Sequence, residues 1–184
     1  MGDGQTVADT ETSAETAAGK TRHLVVHDYG MGGVWWWVWA ASAEEIPREV
    51  AEVEVVTDPE TRARAADWGL EEVDLDAPGP DALSSLRAQR EAQRGEPGFG
   101  ALAGRERVYL RWQEDGDGSC LVCELGPDGR RLRQVEVAAD GSSVRTTPED
   151  WLFNPPMDLW DPRYASWETG AEEFEAAWRD ATPG

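Results

Sequence analysis

Residues 22–40 read RHLVVHDYGMGGVWWWVWA and set the framework of the predicted fold. Residues 22–29 contain a β-branched run that predicts a strand, with Leu24 and Val26 on one face and Val25 on the other. The tetrapeptide at 30–33, Gly-Met-Gly-Gly, supplies the positive-φ positions that a tight hairpin needs before a second strand. A hairpin is favoured over a dinucleotide-binding loop, because such a loop joins a strand to a helix and spaces its glycines differently. The stretch therefore predicts a β-hairpin.

The second strand of this hairpin, residues 34–39, is apolar on both faces. Alternation places Trp35, Trp37 and Trp39 on one face and Trp36 between two valines on the other. Two apolar faces are typical of a central strand that is covered on both sides. If one face remained open, its three tryptophans would form a stacking surface for a cation, a sugar or an arginine-bearing partner. Core packing is favoured, since an exposed aromatic patch of that size promotes aggregation.

Helix and strand signals continue from the hairpin to residue 94. A Ser-x-x-Glu capping box at 42–45 opens a first helix, and VEVV at 53–56 predicts a third strand. Asp58 followed by Pro59 predicts the start of a second helix. A third helix over 80–94 has a thin apolar stripe and then a polar end that we expect to fray. We predict a ββαβαα domain over 22–94, after a disordered acidic tail at 1–21 and before a Gly- and Pro-rich linker at 95–105.

Three Asp-Gly pairs, at 117–118, 128–129 and 140–141, separate alternating segments in the second half of the chain. Such pairs favour tight turns between antiparallel strands. Phe174 and Trp178 lie four residues apart and give the last predicted helix an aromatic stripe, which would cover one face of a sheet. For residues 106–184 we predict a ββββα domain, a four-stranded antiparallel meander packed on a C-terminal helix. The predicted fold class is α+β, a small antiparallel sheet with helices followed by this meander.

The charge of the chain restricts its partners. With 37 acidic and 17 basic residues, the formal net charge is -20. This charge repels nucleic acids and anionic membranes, so we expect neither as a partner, and it favours a basic protein surface. No apolar run approaches the roughly 20 residues of a membrane helix. Residues 1–21 also lack a signal-peptide pattern, so we expect a cytoplasmic protein with reduced thiols.

The potential metal ligands are few and poorly spaced. His23 and His27 lie four residues apart on a strand, a separation of about 13 Å that one zinc ion cannot bridge. Cys120 and Cys123 would face opposite sides of a strand, too far apart for a disulfide. A joint site of both cysteines and both histidines would need a β-bulge. We expect core thiols, no metal and no cofactor.

Motifs for catalysis are also missing from the sequence. EDGDGS at 114–119 has the wrong glycine spacing for a calcium loop and joins two strands rather than two helices. The sequence contains no phosphate-binding loop, nucleophile elbow or HExxH motif. Abundant carboxylates make any single acid–base pair uninformative. We therefore expect a protein without enzymatic activity.

Each half of the chain resembles a family of domains of unknown function. The first half resembles small bacterial domains that begin with a strand, an Asp-Tyr-Gly-x-Gly-Gly-Val-Trp turn and a capped helix. The resemblance is carried by residues 23–46, HLVVHDYGMGGVWWWVWAASAEEI, and covers about 22–94. The second half resembles a family with a meander and a terminal helix, which is similar to small acidic immunity-type proteins. The resemblance is carried by YLRWQEDGDGSCLVCELGPDGRRLRQVEVAADGS and EEFEAAW. This chain differs from that family by a Trp-rich insertion between Val144 and Thr169. Neither resemblance implies a catalytic residue. The positions that match the first family are Asp28, Tyr29, Gly30, Gly32, Gly33, Val34 and Trp35.

These observations predict a non-enzymatic protein-binding protein, for example an immunity or antitoxin-like protein that covers the basic surface of a toxin. Aromatic anchors with a charged rim are the usual pattern of an interface. The alternative is an enzyme or small-ligand-binding protein with a pocket between the two halves. A self-associating structural module is a third reading. The residues expected to bind the partner are Asp28, Tyr29, Trp35, Trp37, Glu114, Asp115 and Asp117.

Overall fold

The computed structural model describes residues 19–28, 32–114, 116 and 118–184 of the chain. They form a mixed α+β structure with one four-stranded and one five-stranded sheet. The α+β class is therefore confirmed. The tail predicted at residues 1–21 lies mostly outside the described residues, but Thr21 already begins the first strand.

The hairpin forms the centre of the first sheet. Strands β1 (Thr21–Asp28) and β2 (Gly33–Ala40) pair antiparallel along their whole length. β3 (Glu54–Val56) pairs antiparallel with β1, and β4 (Glu72–Asp74) pairs parallel with β2. The strand order is β3-β1-β2-β4. The prediction of a purely antiparallel sheet in a ββαβαα unit was wrong, because the short β4 carries too little alternation to be recognised.

Helices cover both faces of the tryptophan-rich strand. They are α1 (Glu45–Glu49), α2 (Pro59–Ala65) and α3 (Ser84–Arg94). Trp36 packs among core residues that include Ile46 of α1 and Leu86 of α3. Trp37 packs on the opposite face with Ala65 of α2. Trp36 and Trp37 are only 6% and 5% exposed, which confirms the predicted core position for the middle of this strand, whereas Val34 at its start is 42% exposed.

The polar end of α3 is buried rather than frayed. Arg90 is fully buried and Gln93 is 8% exposed. The Arg90 guanidinium donates to the Gln93 side chain and to the Val50 carbonyl, at 2.8 and 3.2 Å. The prediction of a fraying end was wrong, because Gln93 on the same helix and the distant Val50 and Asp158 compensate the burial of the charged group. In the segment predicted as a linker, Leu102 is also buried, in the core of the second sheet.

The second sheet contains the predicted meander and one further strand. β5 (Val108–Gln113), β6 (Cys120–Leu125), β7 (Arg131–Val137) and β8 (Ser143–Thr146) pair antiparallel in chain order. β9 (Thr182–Pro183) then pairs parallel with β8. The sheet therefore has five strands instead of the predicted four. A two-residue strand is too short to show a periodic pattern.

The two faces of this sheet carry separate cores. Phe174 of α5 (Ala171–Asp180) is fully buried against one face, as the aromatic stripe predicts. Residues from 157–167, including the short helix α4 (Pro162–Ala165), cover the other face. Cys120 and Cys123 belong to opposite cores, and both are free and buried, which confirms core thiols. Burial raises the pKa of the Cys123 thiol to about 12.

Candidate functional site

A cleft of about 680 Å³ lies between the two halves of the chain. One side of it comes from the first sheet, at the end of the β1–β2 hairpin and at residues 52–54. The other side comes from residue 130 and from residues 153–164, which follow the meander. Pockets between packed units are a common position for binding sites. The cleft is therefore the candidate functional site.

Aromatic and other apolar side chains line much of this cleft. Trp35 contributes from β2 and stacks edge-on against Trp68, with ring centroids 5.4 Å apart. Phe153 contributes from the opposite side and is 58% exposed, although it is a large apolar residue. Pro155 and Pro156 continue that side. The cleft thus presents rigid apolar groups on both sides, a feature of surfaces that bind partners.

The lining of the cleft contains more acidic than basic side chains. Four carboxylates and two arginines line it. The guanidinium of Arg130 pairs with Glu54 and donates to the Asn154 carbonyl. Arg163 pairs with Asp161 at 3.1 Å. Both cations are therefore neutralised within the chain. The lining carboxylates are Asp28, Glu52, Glu54 and Asp158.

Asp158 joins the two halves at the base of the cleft. Its Oδ2 atom accepts from the buried guanidinium of Arg90 and, at 2.9 Å, from the backbone N–H of Glu52. Its Oδ1 atom accepts from the N–H of Trp160 at 3.1 Å. A carboxylate with three donors holds the segments that supply them in fixed positions. Asp158 therefore fixes the distance between the two sides.

The backbone of Glu52 is strained at this junction. Its φ of 55° lies in the left-handed region, which is costly for a residue with a side chain. Its carbonyl oxygen accepts from Nδ1 of His27 at 2.7 Å. Because a carbonyl can only accept, Nδ1 carries the proton in this contact. His27 and Asp158 together hold Glu52 in its unfavourable conformation.

Gly129 allows the meander to approach the cleft segment closely. Its N–H and C=O belong to an Asp-Gly turn with a φ of 80°, and its carbonyl accepts from the N–H of Met157 at 2.9 Å. A Cβ atom at this position would lie 2.1 Å from the Met157 carbonyl oxygen, far inside contact distance. Only glycine fits here. The turn therefore helps to position the 153–158 side of the cleft.

Tyr164 closes one part of the cleft with a neutral phenol. Its hydroxyl accepts from the guanidinium of Arg163 at 3.0 Å. Burial raises the pKa of the Tyr164 hydroxyl above its usual value, against the opposing influence of Arg163. The phenol therefore stays protonated at neutral pH and offers a polar but uncharged group.

The structure brings two of the expected binding residues together and separates two others. Asp28 and Trp35 both line the cleft. Trp37 is buried under α2 and therefore presents no surface to a partner. Glu114 lies at the end of β5, away from the cleft lining, and accepts from the indole N–H of Trp112 at 2.7 Å. The other three, Tyr29, Asp115 and Asp117, lie outside the described residues.

Sequence reasoning missed the opposite side of the cleft. Phe153 and Arg130 carry no motif, and the segment 144–169 was interpreted only as a Trp-rich insertion. One available signal was the pair Pro155-Pro156 beside apolar residues, since such a segment has neither helical nor strand character and has to be held by side-chain contacts. The contact of Arg130 with Glu54 spans 76 positions and has no local signature.

The described residues form a two-sheet α+β structure with a cleft whose lining is largely apolar and acidic. Among the residues that the structure describes, no three or more His, Cys, Asp or Glu side chains are grouped as metal ligands would be. Within the same residues, no helix is both long and apolar enough to cross a bilayer. Comparison of the chain with family models, curated proteins and solved structures gives no match.

Proposed function

We propose that the protein is a non-enzymatic cytoplasmic binding protein whose cleft holds a basic, apolar segment of a protein partner. One observation carries the proposal: the cleft combines the partly buried Trp35 on one side and the exposed Phe153 on the other with more carboxylates than cations. Aromatic anchors supply most of the energy of an interface, and charge complementarity speeds encounter and selects the partner. The resemblances of the two halves to families of domains stay proposals as well.

The internal ion pairs support a cationic rather than an anionic ligand. An anion could bind Arg130 or Arg163 only by displacing the carboxylate that each arginine already contacts. Two of the four lining carboxylates, Glu54 and Asp158, already pair with arginines, so a cation would meet chiefly Asp28, Glu52 and the net charge of -20. Such a protein is suited to covering a basic surface, as immunity and antitoxin-like proteins do.

The test compares partner capture by matched variants. The full chain is immobilised and exposed to bacterial lysate at 50 and 500 mM salt, together with the cleft variant Phe153→Ser and the control Val144→Ser. Val144 is also an exposed apolar residue but lies outside the cleft lining. We expect basic proteins that bind the wild type and the control at low salt only. Equal capture by all three proteins, or capture that resists salt, would refute the proposal.

A small-molecule ligand is a second candidate, favoured by the size of the cleft. Its volume of about 680 Å³ falls within the usual range of roughly 300 to 1,000 Å³ for small-molecule sites. In that case an apolar cationic compound would raise the melting temperature by mass action. A screen of such compounds by thermal denaturation tests this candidate. The stabilisation should disappear in Phe153→Ser and persist in Val144→Ser.

A further inference from the structure

One side of the cleft is the open edge of a β-sheet. β3 is the outermost strand of the first sheet and pairs only with β1, from Glu54 opposite Val26 to Val56 opposite Leu24. Within the described part of the chain, no backbone hydrogen bond joins the outer edge of β3 to another segment. Val53 and Glu54 line the cleft at this edge. The cleft therefore contains backbone donors and acceptors that are available for pairing.

The opposite side of the cleft is unable to close this edge by itself. Pro155 and Pro156 have no backbone N–H and cannot pair as a strand with β3. The contacts between the two sides instead use side chains, from Arg130 to Glu54 and from Asp158 to the N–H of Glu52. These contacts hold the proline segment near β3 without occupying the backbone positions of the edge.

Charge decides among the possible occupants of the edge. Residues 1–18 of the chain contain four acidic and no basic residues, so the cleft carboxylates would repel them. A second copy of the chain, with a net charge of -20, would be repelled as well. A basic segment from another protein is attracted, and its apolar side chains can contact the side of the cleft that carries Phe153. It is the occupant that the electrostatics favour.

We propose that an extended basic segment of the partner adds to β3 as a further strand of the first sheet. This inference rests on the proposed function and specifies how the same cleft holds its ligand. In strand addition, backbone hydrogen bonds supply affinity and alternate side chains supply specificity. A strand in this position would direct alternate side chains to opposite sides of the extended sheet.

The period of two in strand pairing provides a sharp test. A library of ten-residue peptides, alternating Arg or Lys with Val, Tyr or Trp, is screened against the full chain. The tightest peptide is then N-methylated either at its odd or at its even amides. Only one of these two sets faces β3 in a paired strand. We expect about a tenfold loss of affinity for one set, less than threefold for the other, and slower hydrogen exchange at β3 amides in the complex.

The outcomes separate the two proposals, and the N-methyl groups that test strand addition are in the peptide, so they do not affect folding of the protein. Equal losses for both N-methylated sets, with binding still sensitive to Phe153→Ser, would overturn strand addition and leave the proposed function standing. Absence of any binding peptide at 100 μM would overturn both. A tenfold gain in affinity on deletion of residues 1–18, or a dimer that the peptide dissociates, would identify the chain itself as the occupant and also overturn the proposal.

Discussion

Replacement of Gly129 by alanine should destabilise the protein far more than the same change at Gly141. Both glycines occupy Asp-Gly turns of one meander, with φ values of 80° and 85°. An added Cβ at Gly129 would lie 2.1 Å from the Met157 carbonyl oxygen, whereas an added Cβ at Gly141 has no neighbour within 4 Å. The pair therefore separates the cost of the backbone conformation from the cost of the close approach.

The expected magnitudes follow from these two environments. A side chain in the left-handed region costs about 1–2 kcal/mol, and this cost applies to both variants. At Gly129 the clash must also move Met157, which loses their 2.9 Å hydrogen bond, worth about 1 kcal/mol. Met157 packs against the core of the second sheet, so its displacement loses burial as well. We expect Gly129→Ala to be less stable than Gly141→Ala by about 2–3 kcal/mol.

Denaturation followed by tryptophan fluorescence measures this difference. For a chain of this size, 2–3 kcal/mol corresponds to a difference of about 4–12 °C in melting temperature. Urea titrations should give the same ranking from their midpoints, provided that the m-values agree. Equal losses of stability in the two variants would show that the close contact between Gly129 and Met157 does not hold the cleft segment in place.

Three further predictions concern buried groups. Asp158→Ala should lower the unfolding free energy by about 3–5 kcal/mol, because it leaves the buried Arg90 without its carboxylate. The control Glu173→Ala, which breaks an exposed ion pair, should lower it by less than about 1 kcal/mol. Similar urea midpoints for the two variants would contradict this prediction. Burial raises the pKa of Cys123 to about 12 from a usual 9.0, so its thiol in the folded protein should resist alkylation at pH 8.5, as measured by peptide mass mapping. The unfolding free energy should fall as pH rises from 9 towards 12, because only the unfolded state loses the proton there, and it should fall less steeply in Cys123→Ala. Trp37→Ala should lower the unfolding free energy by about 3–5 kcal/mol and Trp35→Ala by less than half as much, because Trp37 is the more deeply buried. Trp35→Ala should stay folded and bind the partner more weakly. Equal losses of unfolding free energy in the two variants would refute the assigned burial.

Short-range patterns predicted most of the elements correctly. Asp58, as expected of an N-cap before proline, accepts from the N–H of Thr61 at 2.7 Å and begins α2. The Asp-Gly pair at 140–141 and its two counterparts separate the strands of the meander. In each case the signal and the structure lie within a few residues of each other, and the backbone preference of those residues is sufficient.

Elements with few residues or distant partners were not predictable in this way. β4 becomes a strand because β2 offers it a parallel edge, and its own three residues give no periodic signal. The buried end of α3 depends on Asp158, which lies 68 positions from Arg90. Burial of a charged group is unfavourable unless a partner is present, so the sequence near α3 indicated exposure.

The sequence by itself determined the hairpin, the meander, the start of α2 and the strong negative charge, because neighbouring residues encode backbone conformation and composition encodes charge. Only the tertiary structure decided which side chains reach a partner. Trp35 and Trp37 are chemically identical and share one face of β2, yet α2 covers Trp37 while Trp35 borders the cleft. Accessibility depends on which distant segments pack together, and the period of a strand contains no information about them.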